Sequence, residues 1–252
     1  MKFGVKDGID RNLWVEIGVE AVAGLYVVGA VVFCWSRPVW LSLLLGAGLC
    51  GQFWVWREKS DVATMVVAAM LGAPAEILCV SNGVWTYYSP GLVWGIPVWI
   101  PLVWAYLMCM FRRMSISIHS FTLEVWPADR SRLRKLLFGV AGAAIVLYGL
   151  ATVSMISRNI AAAYIIAMIS AIIFWHGERD ILIFFVGATL GTLGECICMK
   201  LGFWEYQFPL LRSIGVPLSL PLAWGLSSVI IGRFAGKFAK KKPAESPGKA
   251  AK

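Results

Sequence analysis

Several stretches of this 252-residue chain run for about 20 residues with almost no charge, the length an α-helix needs to cross a hydrocarbon core. The composition agrees: 59% of residues are hydrophobic, only 15% are charged, and the mean hydropathy is +0.74. A soluble domain is nearer half apolar and a quarter charged. The expected fold is therefore an all-α integral membrane protein. Apolar runs predict about eight transmembrane helices, at 13–35, 38–56, 61–81, 94–111, 136–156, 159–175, 181–200 and 214–234. The polar start MKFGVKDGIDRN is not the leader of a cleavable signal, so the first apolar stretch is read as a retained helix.

Basic residues orient these spans. With a cytoplasmic N-terminus, only Arg37, Arg158, Lys200 and Arg212 fall outside, and the other nineteen of the 23 lysines and arginines fall inside. The positive-inside rule then puts both termini in the cytoplasm, which requires an even number of helices. It also accounts for the net charge of +9 without nucleic acid. The expected location is the cell (plasma or inner) membrane. The loop from Arg112 to Lys135 mixes apolar and basic residues and is expected to lie along the inner surface, with His119 an interfacial residue. All six cysteines lie in or beside apolar stretches, which argues against a disulfide framework, and no CxxC pair suggests a zinc site.

The chain also repeats itself. At an offset of 119 residues Asp61 matches Asp180, Gly72 matches Gly191, Glu76 matches Glu195, and Cys79 matches Cys198. Gly83/Gly202, Trp85/Trp204, Tyr87/Tyr206 and Pro90/Pro209 continue the series, and Trp56 is matched to Trp175. One inserted residue later the match resumes with Gly95/Gly215, Pro97/Pro217, Pro101/Pro221 and Trp104/Trp224. Seventeen identities fall between Asp61 and Trp104, where composition alone would give roughly three or four. The domain reading follows: residues 1–135 form a first four-helix repeat with a cytoplasmic loop, 136–236 a second, and 237–252 a disordered basic tail. Units of four helices enter the membrane from the same side, so the repeats are expected to be parallel, about an axis along the membrane normal.

Asp61 and Asp180 fall at helix starts, where an aspartate caps free N–H groups and suits the helix dipole. Glu76 and Glu195 lie fifteen residues further on, or ~22 Å along the helix, inside the outer half of the bilayer. A carboxylate there costs several kcal/mol unless paired, hydrated or protonated, and two at matched positions point to a shared catalytic site. Trp85 and Tyr87, like Trp204 and Tyr206, are spaced by two, so in extended backbone they face the same way. They can serve as an interfacial belt or as a cage for an apolar or cationic group. The re-entering helices open with prolines four apart, expected to free backbone carbonyls and widen the helix. Trp104 and Trp224 follow ~10 Å inward, near the level of the glutamates. Two Glu-x-x-Cys pairs (Glu76/Cys79 and Glu195/Cys198) put thiols beside the acids, yet a cysteine is also a small packing residue, and no metal or other cofactor is expected. Glu16 and Glu20 have no counterpart in the second unit and are read as residues of a helix N-terminus.

The pattern Glu-x6-Gly-x-Trp-x-Tyr, then Pro, then Gly-Val-Pro-Leu-x-x-Pro-Leu-x-Trp resembles the carotenoid-biosynthesis integral membrane proteins, a group that includes carotenoid hydratases. The likeness runs from Glu76 to Trp104 and from Glu195 to Trp224. It implies a membrane pocket for a polyprenyl or lipid chain, lined by Trp85, Tyr87, Trp104, Trp204, Tyr206 and Trp224, and a lyase-type hydration, cyclisation or isomerisation. Two other functions fit the same residues: a proton-coupled transporter or flippase with parallel repeats, and a non-catalytic membrane subunit whose motifs lock helices together. Substrate and oligomeric state are not specified by these features.

Overall fold

The apolar stretches fold as helices in the order the sequence places them, because a run without charge keeps its backbone hydrogen bonds within itself. The computed structural model describes residues 13–125, 131–155, 158–174, 177–207 and 215–239. Eight helices occur among them: α1 Leu13–Cys34, α2 Pro38–Trp56, α3 Lys59–Ser81, α4 Ile100–Val125, α5 Ser131–Met155, α6 Arg158–Phe174, α7 Glu178–Lys200 and α8 Leu220–Ala239. Four of these, α1, α2, α3 and α7, are long and apolar enough to cross a membrane. Among the residues whose side chains are described, α5 and α6 contribute the apolar stretches Lys135–Leu150 and Tyr164–Ile173. Many large apolar side chains face outward, with Phe33 82%, Leu25 75% and Met70 68% exposed, an arrangement suited to an apolar surrounding.

The centre of the fold is a bundle of α3, α4, α7 and α8, each of α3 and α7 touching both α4 and α8. Helices α1 and α2 flank it on the α4 side, and α5 and α6 flank it through α7 and α8. Beyond α3 and α7 lie the short strands β1 Trp85–Tyr87 and β4 Trp204–Tyr206, paired antiparallel. Both helices therefore run toward the same end of the bundle, as parallel repeats require. A small hairpin, β2 Leu92–Val93 with β3 Ile96–Pro97, follows β1.

Several expected boundaries are corrected. Helix α4 begins at Ile100 and not at 94, because Trp94 and Gly95 both take positive φ (52° and 84°), the geometry of a two-residue hairpin turn. Pro97 then lies in a strand, and Pro101 occupies the first turn of α4, where its missing N–H has no partner to lose. Pro217 and Pro221 sit likewise before and within the first turn of α8. The paired prolines therefore shape the helix entrances and free no carbonyls within them. The segment after Arg112 does not lie on the inner surface: it continues α4 to Val125, its Arg113, Ser115 and Ser117 buried inside the bundle. Helix α5 starts at Ser131, ahead of the expected domain boundary, and α8 extends to Ala239 into the expected tail. Trp175, Pro209, Arg212 and residues 240–252 lie outside the described residues.

Candidate functional site

The aromatic ribbon carries the symmetry of the repeat. In the β1–β4 pair Thr86 stands opposite Glu205, its own repeat equivalent, while Trp85 faces Tyr206 and Tyr87 faces Trp204. A local two-fold axis through the Thr86–Glu205 pair thus exchanges the two strands. The flanking hydrogen bonds obey it: Tyr88 N donates to Phe203 O at 2.9 Å and Gln207 N to Val84 O at 3.0 Å. So do the rings, with Trp85–Tyr206 at 5.4 Å and Tyr87–Trp204 at 5.5 Å, both edge-to-face. Trp104 and Trp224 meet as a stacked pair 4.9 Å apart. Thr86 and Glu205 point outward and are exposed, whereas Tyr87, Trp204 and Tyr206 are buried, so the alternation expected from spacing by two holds.

The ribbon hangs on two identical helix ends. At α3 the Gly83 N donates to Val80 O (3.0 Å) and Val84 N to Cys79 O (3.0 Å); at α7 Gly202 N donates to Met199 O (2.9 Å) and Phe203 N to Cys198 O (3.0 Å). This double bond pattern needs a left-handed residue, and Gly83 (φ 67°) and Gly202 (φ 74°) supply it without a Cβ clash. It turns the chain across the bundle end, so the aromatic pairs face back toward the glutamates.

Glu76 is buried and accepts two hydrogen bonds, from Tyr87 Oη to Oε2 (2.6 Å) and from Trp104 Nε1 to Oε1 (3.0 Å). Glu195 is half-buried and accepts two bonds on Oε2, from Trp204 Nε1 (2.7 Å) and Tyr206 Oη (3.3 Å). Trp85 completes the set around Glu76, and Trp224 that around Glu195. All eight residues singled out from the sequence therefore come together, and the two carboxyl groups lie within electrostatic reach of one another. Burial, followed by the charges of Glu76 and Glu195, holds the Tyr87 phenol well above its ordinary value; Tyr206 is raised by burial and the same two acids. Both phenols stay protonated donors.

Gly72 and Gly191 make room for this arrangement. A Cβ on Gly72 would come within 2.3 Å of the Trp104 ring, and one on Gly191 within 2.3 Å of Trp224. Gly72→Ala or Gly191→Ala is expected to cost about 1–3 kcal/mol by overpacking and to shift the stacked indoles. Thermal unfolding in detergent and the tryptophan emission spectrum check this. Unchanged emission in both variants would show that the rings are not wedged against the glycines.

At the opposite end both aspartates pair with arginines, and Asp180 caps as well. Asp180 does accept the Gly177 N–H (3.1 Å), but it also pairs with Arg233. Asp61, fully buried, pairs with both Arg112 and Arg113, and Arg113 Nε donates to it at 3.0 Å. Arg113 and Arg233 are repeat equivalents at the second offset of 120. Following the match past Trp104 would have exposed them. Glu58 joins this cluster at 3.1 Å from Arg113; burial alone would raise its carboxyl, but Arg113 and Arg112 outweigh that and hold it below its usual range. Glu16, in the first turn of α1, also accepts from Trp56 Nε1 (2.8 Å), and the buried Glu20 accepts from Ser117 Oγ (2.7 Å), so both bind helices together.

No family model matches the chain, and neither a curated protein nor a solved structure matches it.

Proposed function

We propose that this protein is an intramembrane enzyme that acts on an isoprenoid, carotenoid or other lipid double bond by carboxylic acid–base chemistry. The observation that carries the reading is the pair of repeat-related glutamates, each bonded by tyrosine and tryptophan beneath one aromatic ribbon and close enough to feel the other's charge. Like charges held together in a poorly solvated place favour a state in which the pair shares one proton. Glu76, with a donor on each oxygen, is suited to remain the carboxylate, which leaves Glu195 to carry the proton. Transfer of that proton to an alkene carbon uses the π electrons to form the C–H bond and leaves a cation on the other carbon. The indole and phenol faces can stabilise that cation. Water then adds with its proton passing to Glu76; or a neighbouring C–H proton passes to Glu76 to give an isomerised product, and to a cyclised one where a second double bond of the same chain has first attacked the cation. The motif resemblance to carotenoid-biosynthesis membrane proteins agrees with this substrate class.

A proton-coupled carrier is the second reading, since parallel repeats with paired acids also suit one. Its two halves would have to rock against each other, and here they are joined across the axis by a hydrogen-bonded ribbon and a stacked tryptophan pair. That favours the enzyme. The deciding experiment is an untargeted lipid and pigment profile of cells with and without the protein: an altered isoprenoid or lipid supports catalysis, and an unchanged profile with altered uptake supports the carrier.

The same reading has all eight helices crossing the cell membrane, both termini in the cytoplasm, and the ribbon outside. Helices α4 and α8 fall short on composition because their far ends carry Arg112, Arg113, Arg233 and Lys237, which would sit at the cytoplasmic face. Reporter fusions at Lys59 and Lys135 are expected to report cytoplasm, and fusions at Ser89 the outside. A cytoplasmic signal at Ser89 would overturn the topology.

A further inference from the structure

The end of the bundle that holds the aspartates is not symmetric, and the difference makes a cavity. In the first unit Glu58, Ser60, Arg112 and Ile116 stand where the second has Gly177, Arg179, Gly232 and Gly236. Removing an acid and two large side chains while adding a cation opens a space of about 270 Å³ between α4, α7 and α8. Its wall carries Arg112, Arg179, Arg233 and Lys237 against a single acid, Asp180, with the Ser115 hydroxyl beside them. Glu58 and Asp61 are engaged by Arg112 and Arg113 on the first-unit side. Arg179 lies within electrostatic reach of Arg112 and Arg233 and of the acids paired with them, Glu58 and Asp180; with those acids engaged, Arg179 is a cation the first unit lacks, and an anion in the cavity would relieve its repulsion from the other two guanidinium groups. Guanidinium groups match phosphate oxygens in geometry, and the volume holds a phosphate group with several waters of ~30 Å³ each.

We propose that this cavity binds a phosphate-bearing anion, either the headgroup of an anionic phospholipid or a soluble phosphate. The site lies at the far end of the bundle from the glutamates and is independent of the reaction assigned to them. Its test uses the full chain purified in neutral detergent, titrated with dioleoylphosphatidylglycerol, with dioleoylphosphatidylcholine, and with inorganic phosphate. Two variants separate charge from space. Arg179→Ser restores the first unit's residue at an exposed position. Gly236→Leu fills the cavity where a Cβ meets nothing within 4 Å. Each is expected to weaken binding roughly tenfold, the effect of losing one charge-assisted hydrogen bond or its room, with an unchanged melting temperature in the absence of added anion. Phosphatidylglycerol bound over phosphatidylcholine, and weakened by both variants, identifies a lipid headgroup. Inorganic phosphate bound and weakened in the same way identifies a soluble phosphate. Variants that bind like the unmodified chain, or a chain that prefers neither anion, would overturn the proposal.

Discussion

Glu76→Gln and Glu195→Gln are each expected to lower the rate of lipid conversion by at least about a hundredfold, the usual contribution of a positioned acid or base. Glutamine suits the geometry. Turned so that its carbonyl accepts from Trp104, the new amide of the Glu76→Gln variant presents its NH2 to Tyr87, whose hydroxyl can accept; in Glu195→Gln the carbonyl takes the place of Oε2 and accepts from both Trp204 and Tyr206. Insertion and thermal stability in detergent should therefore change little, and the desolvation cost of a buried acid is relieved. Alanine differs, because it leaves buried donors unsatisfied and should destabilise by ~1–3 kcal/mol. Product analysis and melting curves on the four variants separate the roles. Full activity in both glutamine variants, with loss only in the alanine ones, would make the glutamates structural anchors and return the protein to the class of non-catalytic subunits.

The largest effect on stability is expected at Asp61. It is fully buried between Arg112 and Arg113, so Asp61→Ala leaves the buried Arg113 charge without its main partner, a loss of about 3–5 kcal/mol. Its repeat equivalent should be milder. Arg233 is a third exposed and solvent screens its charge, so Asp180→Ala is expected to cost roughly half as much or less. Chemical or thermal unfolding of the two variants in the same detergent measures the difference. Equal losses would mean that the two ends of the repeat carry the same load, and that burial of the first pair adds nothing.

The sequence was sufficient for the order of the helices among the described residues. Uncharged runs specify helices from local backbone needs alone, and identical residues at a fixed offset specify two like units. The alternation of Trp85, Thr86 and Tyr87 likewise fixed which side chains share a face, because the two-residue period of a strand is a local property. Position along a helix likewise put Glu76 and Glu195 toward the ends of α3 and α7 that carry the ribbon.

What the sequence left open depended on contacts between units. It could not say that β1 pairs with β4 so that Thr86 opposes Glu205, nor that Trp104 stacks on Trp224, since each is an encounter of residues about 120 apart. The aspartates read as caps because a cap is visible locally, whereas Arg113 and Arg233 reach them only after α4 packs on α3 and α8 on α7. Arg113 and Ser117 read as surface residues because their polarity suits water; the partners that allow their burial, Asp61 and Glu20, come from other helices. Polar groups can enter an apolar bundle only where another element satisfies them, and which element does so is decided by tertiary packing.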